Sequence, residues 1–148
     1  MAVLESGMMI SLVAVNGKYV CAEKGGGGFG LIANREAQGP WEMLAVVNRG
    51  IGEIALQAAR GDYVGIPSAA DPRLVTNSDV ITPWHEFDVV YLSGGSVALK
   101  AGNGKYVCAE RGGEGWLMAS QDRLGPWETF QVSVVDDDQA LEHFVFDD

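Results

Sequence analysis

Three of the four tryptophans in this sequence sit in one recurring phrase: Gly39-Pro40-Trp41-Glu42, Thr82-Pro83-Trp84-His85 and Gly125-Pro126-Trp127-Glu128. An indole is the largest flat apolar face a side chain offers, with an N–H at its edge. A pyranose has one face of C–H groups that stacks on such a plane and leaves its hydroxyls free around the rim. An adjoining carboxylate accepts from those hydroxyls in charge-assisted bonds, stronger than neutral ones. Trp41 with Glu42, and Trp127 with Glu128, therefore suit a neutral glycan. The competing role for Trp41, Trp84 and Trp127 is packing, with each indole buried at the base of a lobe.

The phrase recurs because the whole chain does. The segments ISLVAVNGKYVCAE (10–23), IALQAARGDYVGIP (54–67) and VALKAGNGKYVCAE (97–110) align, and Trp41, Trp84 and Trp127 fall at steps of 43. Between them lie LIAN (31–34), LVTN (74–77) and LMAS (117–120), again 43 apart. Within each copy apolar residues alternate, a β signal: Ile54, Leu56 and Ala58, then Val97, Leu99 and Ala101. Asn16-Gly17, Arg60-Gly61 and Asn103-Gly104 mark hairpin turns. A Gly-rich or Pro-containing loop, a third run and the Pro-Trp turn lead into a fourth run. Only DDDQALEHF near the C-terminus has the pattern of a helical turn.

Four short strands written three times predict about twelve strands in one domain spanning residues 1–148, with repeats over 8–50, 51–93 and 94–136 and a closing segment at 137–148. Propellers need four or more blades, and solenoids need polar caps. Closing three units around a pseudo-threefold axis removes sheet edges and leaves one core. The predicted fold is an all-β β-trefoil.

The polar residues vary more than the apolar frame. The first copy has Lys18, Glu23, Glu42 and a loop aromatic, Phe29; the third has Lys105, Glu110, Glu128 and Trp116. Asn34, closing the third run of the first copy, adds an amide. The middle copy reads Asp62, Pro67, Arg73 and His85 instead, while Tyr63, Leu74, Trp84 and Phe87 persist. This predicts two similar sites, in copies one and three, and an altered or silent one in copy two. Drift on an exposed face is the alternative.

The combination of Asn-Gly-Lys-Tyr-Val, a Gly-rich loop and Gly-Pro-Trp-Glu at fixed spacing resembles fascin-like β-trefoils, from about Ile10 to Val135. In particular it is similar to bacterial members found beside glycan-degrading catalytic domains or standing alone as lectin-like modules. The resemblance implies non-catalytic binding through up to three repeat-related surface sites, at Trp41, Trp84 and Trp127 with Glu42, His85 and Glu128. It also embraces actin-bundling proteins, so protein interaction and a purely structural trefoil stay open.

A formal charge of −10 opposes nucleic acid and anionic membranes and leaves a neutral polysaccharide, such as a glucan, as the expected partner of a monomer. Other chemistries find little support. The glycine runs at 25–28 and 112–113 lack the lysine and hydroxyl of a phosphate loop. His85 and His143 have no metal-like spacing, so neither metal nor cofactor is expected. Glycosidase carboxylates stand roughly 5–10 Å apart, closer than Glu42 and Glu128 in different lobes should lie. The acidic residues at 136–138 and 147–148 read as solvated termini rather than a calcium loop. Cys21 and Cys108, on separate strands, read as free packed thiols. The start carries Glu5 and no basic n-region, and no apolar run reaches the ~20 residues a membrane span needs. Secretion as a module of a larger protein is compatible with this.

Overall fold

The computed structural model describes residues 4–135; the helical turn expected near the C-terminus, the closing segment 137–148, His143 and the acidic clusters lie outside them. Strand alternation sets the architecture. Ile10 and Leu12 are buried on β1 (Met9–Val13), and the same pair recurs as Ile54 and Leu56 on β5 (Glu53–Gln57) and Val97 and Leu99 on β9 (Ser96–Lys100). Leu44 on β4 (Leu44–Gly50), Phe87 on β8 (Phe87–Tyr91) and Phe130 on β12 (Phe130–Val135) fill the intervening places. These six strands pair antiparallel in a closed ring: β1 with β4, β4 with β5, β5 with β8, β8 with β9, β9 with β12, and β12 back to β1. Ring closure leaves no free edge in the barrel.

The other six strands form three hairpins that cap one end. They are β2 (Tyr19–Ala22) with β3 (Leu31–Arg35), β6 (Tyr63–Gly65) with β7 (Val75–Ser78), and β10 (Tyr106–Ala109) with β11 (Leu117–Gln121). Single bridges tie each hairpin region to the next: Gly30 to Val75, Arg73 to Met118, and Ile32 to Trp116. Leu31, Leu74 and Leu117 are buried there in the one main core. The twelve strands form the β-trefoil expected from the repeats.

The Asn-Gly turns explain their own sequence. Asn16 accepts from the Lys18 N–H at 3.0 Å and donates to the Ala33 carbonyl at 2.9 Å, and Asn103 does the same with Lys105 and Ala119. The following glycines, Gly17 and Gly104, take φ of +79° and +81°, where a Cβ would be strained. No helix among the described residues is long and apolar enough to cross a membrane.

Phe87 and Phe130 occupy equivalent places and are wholly buried. Truncating either to alanine should cost about 3–5 kcal/mol in urea denaturation, whereas exposed Val134→Ala should stay within about 0.5 kcal/mol. Equal, small losses at all three positions would mean that the barrel interior is not where the structure puts it.

Candidate functional site

Each Pro-Trp phrase is a single 3-10 turn, at Pro40–Glu42, Pro83–His85 and Pro126–Glu128, preceded by an extended residue. Proline suits the first position because its fixed φ is pre-set for the turn and its missing N–H would be an orphan there. The last residue of each turn folds back. Glu42 Oε1 accepts from the Gly39 N–H at 2.6 Å. His85 Nδ1 accepts from the Thr82 N–H at 3.1 Å, which puts its proton on Nε2, 2.8 Å from Asn77 Oδ1.

Glu42, His85 and Glu128 are consequently only 6%, 4% and 7% exposed. The expectation that Glu42 and Glu128 rim an open indole is corrected here: their carboxylates are turned inward, toward the turn and a neighbouring thiol. Cys21 lies against Glu42 and Cys108 against Glu128; both are free and buried. Burial first, then the hydrogen bond to the glutamate, pushes each thiol far above its ordinary pKa, so it stays protonated and donates.

The middle copy solves the same problem with a different pair. Gly65 stands where the others have cysteine, and a Cβ there would collide with the His85 ring and lie 2.6 Å from the Trp84 carbonyl. A larger, self-sufficient ring thus comes with a missing side chain. At position 85 the change in copy two accompanies a packing exchange with position 65.

The three indoles have three fates. Trp41 is half-buried: it sits on Gly25, whose added Cβ would lie 2.9 Å from the ring, and the stem of Arg60 from the second copy reaches the same spot at 3.1 Å. Trp84 is half-buried too, but lies the other way. Its ring rests on Gly102 of the third copy, 3.1 Å from where a Cβ would be, and packs onto the core. Trp127 rests on Gly112 much as Trp41 rests on Gly25, yet no arginine follows it; the neighbour from the first copy is Val15. Trp127 is 45% exposed and Val15 52%.

An open groove of about 590 Å³ between the third and first copies is lined by Val13, Ala14, Val15, Pro126, Thr129 and Gln131; the Trp127 indole is not in its wall but adjoins it, sharing Gly112 with Val15. The equivalent groove between the second and third copies is about 380 Å³ and carries Glu53, Glu86, Asp88 and Lys100 instead. There Glu86 is paired with Arg49 at 3.0 Å. The repeat-related junctions have diverged from apolar to charged. The first and third copies differ at this level, since Trp41 is half-buried and Trp127 is exposed.

The loop candidates gather elsewhere. Phe29 and Trp116 are exposed on the hairpin cap, where Trp116 bridges to Ile32 of the first copy. Glu23 is paired with Arg35 at 2.9 Å, Glu110 accepts from Ser120 at 3.1 Å, and exposed Asn34 accepts from Arg35 at 2.6 Å. None of the three is left free beside an indole. Val15, Thr129 and Gln131 were not singled out from the sequence. The signal was there in the aligned turns, where Val15 faces Ala59 and Gly102, the one bulky choice of three. Among the described residues no three His, Cys, Asp or Glu side chains cluster as metal ligands would.

The turn exchange is testable as a pair. Gly65→Cys and His85→Glu should each destabilise by about 1–3 kcal/mol, and the double variant by clearly less than their sum in chemical denaturation. The pH dependence has a definite sign. Burial lowers the His85 pKa below 6.5, so its stabilising contribution is complete above 6.5 and lost as pH falls through the lower folded value. Denaturation midpoints should therefore drop from pH 7.5 to pH 5, and less so in the double variant.

No known family's sequence profile matches the chain, and no curated protein sequence matches it. Solved structures do. A designed threefold-symmetric protein, ThreeFoil, superposes with a TM-score of 0.76 at 20% identity, over 84% of this chain and 96% of that one. An exo-β-1,3-galactanase from Clostridium thermocellum gives 0.75 at 15%, over 88% of this chain but 31% of the enzyme. The Polyporus squamosus lectin, bound to a human-type influenza-binding epitope, gives 0.72 at 12%, over 86% of this chain and 49% of the lectin. At these identities the likeness establishes the fold: the chain is a β-trefoil.

Proposed function

We propose that this chain is a non-catalytic carbohydrate-binding module, with the Trp127 groove as its principal site and a neutral polysaccharide segment as its ligand. The observation that carries the reading is the exposure of Trp127 beside Val15 and Pro126, an apolar shelf large enough for a pyranose face. Thr129 and the exposed amide of Gln131 supply hydrogen-bonding groups at its edge. Neither carries charge, and a neutral glycan meets no penalty from the net −10. Two independent lines support the class: the resemblance to fascin-like trefoils, and structural neighbours that include a lectin and a galactanase. The inward-turned Glu42 and Glu128 favour a site that holds its ligand through stacking and neutral hydrogen bonds. One open indole among three favours a single strong site on a monomer over threefold avidity.

Isothermal titration with glucans, mannans and galactans tests this. Trp127→Ala should weaken binding at least ~10-fold, the loss of about 1.4 kcal/mol. Trp84→Ala, which strips an indole from the core, should lower the melting temperature by several degrees and leave the dissociation constant alone. Unchanged affinity in the Trp127 variant, or no response to any glycan, would remove the assignment.

A further inference from the structure

The hairpin cap holds an arrangement that the Trp127 groove does not use. Gly30, Arg73 and Trp116 are the same position in the three copies, each immediately before a buried leucine, and the inter-repeat bridges bring them together at the pseudo-threefold axis. Three large side chains have no room there. Gly30 provides the space, since a Cβ on it would lie 2.8 Å from Trp116 Cε3; the indole lies across the glycine. The Arg73 guanidinium stands over the same ring, 5.7 Å from its centroid.

We infer that this axial cluster is a second ligand site, selective for a sugar ring that bears a carboxylate. Stacking on an indole occupies the face of a guanidinium and leaves the donors in its plane available. The Arg73 guanidinium makes no hydrogen bond or ion pair with any described residue, although its own backbone N–H is bound by Asp71 at 3.2 Å. A second guanidinium, that of Arg111, unpaired among the described residues, approaches the neighbouring Gly115, with Nη2 3.6 Å from its Cβ position. Phe29, next to Gly30 and half exposed, extends the apolar surface. The cluster thus offers a planar two-pronged donor beside the exposed Phe29 ring and the uncovered part of the Trp116 indole, which matches a carboxylate attached to a pyranose. The carboxylate of Glu110, whose Cβ lies by Gly115, accepts from Ser120 at 3.1 Å. The overall −10 does not forbid a short acidic ligand, because charges more than about 8 Å away are largely screened at physiological salt. This site stands whether or not the Trp127 groove binds neutral glycan.

The test compares a short oligogalacturonate with its methyl ester, which removes the charge and adds one methyl group per ring, by NMR or calorimetric titration. The acid form should bind, with the ester at least ~10-fold weaker. Arg73→Gln and Trp116→Ala should each weaken the acid form about 10-fold, Arg73→Lys less, and Trp127→Ala not at all. Melting curves identify the variants that remain folded; Arg73 is exposed and its replacement leaves the core intact. Equal binding of the ester, no effect of Arg73→Gln, loss confined to Trp127→Ala, or no binding of the acid form would each overturn the proposal.

Discussion

A threefold barrel has one axis, and the residues that meet on it cannot all be large. Everything that only faces the interior can repeat, which is why Ile10, Ile54 and Val97, or Phe87 and Phe130, stand in for one another. Where copies touch each other, repetition is sterically forbidden or merely optional. Gly30, Arg73 and Trp116 are the forbidden case: one indole fills the axis only because its counterpart in another copy has no side chain. Interiors packed near crystal density leave no softer solution.

The same logic governs the turns that close each copy. A buried donor left without a partner costs about 1–3 kcal/mol. In copies one and two the last residue of the Pro-Trp phrase accepts from the N–H that opens the turn, and in copy three Glu128 lies close over Gly125, but the partner chosen need not be the same. Glutamate needs a thiol beside it, whereas histidine spans from Thr82 to Asn77 and needs the space of a cysteine side chain instead. The exchange is one of matched pairs, so position 85 can change only together with position 65.

The fold was fully legible because its signal is redundant: three alignments of the same runs, with hairpin turns at each step, admit little else. The site was legible only in its residue types. Trp127 and Trp116 were both in view, yet exposure depends on what the following copy places against them. Glu42 and Glu128 misled for a physical reason: a carboxylate beside an aromatic reads identically whether it faces a ligand or caps its own turn. Cys21 paired with Glu42, and Gly65 with His85, is a covariation visible by aligning the copies, but only the distance across the turn gives it meaning.

The difference between Trp41 and Trp127 traces to the glycine run of the first copy. Asn16 and Asn103 spend their amides on the carbonyls of Ala33 and Ala119. The matching carbonyl in the second copy, that of Thr76, is served by the Gly28 N–H at 2.6 Å, and Gly27 reaches Asp62 at 2.7 Å. With that carbonyl already satisfied, no asparagine is required at position 60. An arginine can stand there and lay its stem beside Trp41. The four-glycine loop, which can take left-handed φ at every step, is thus what binds the first two copies together and, by the same contacts, closes one indole. The third copy has only the pair Gly112-Gly113 at this point, Asn16 keeps its structural bond, and no arginine among the described residues is laid beside Trp127. An open groove at one junction follows from how the other was sealed.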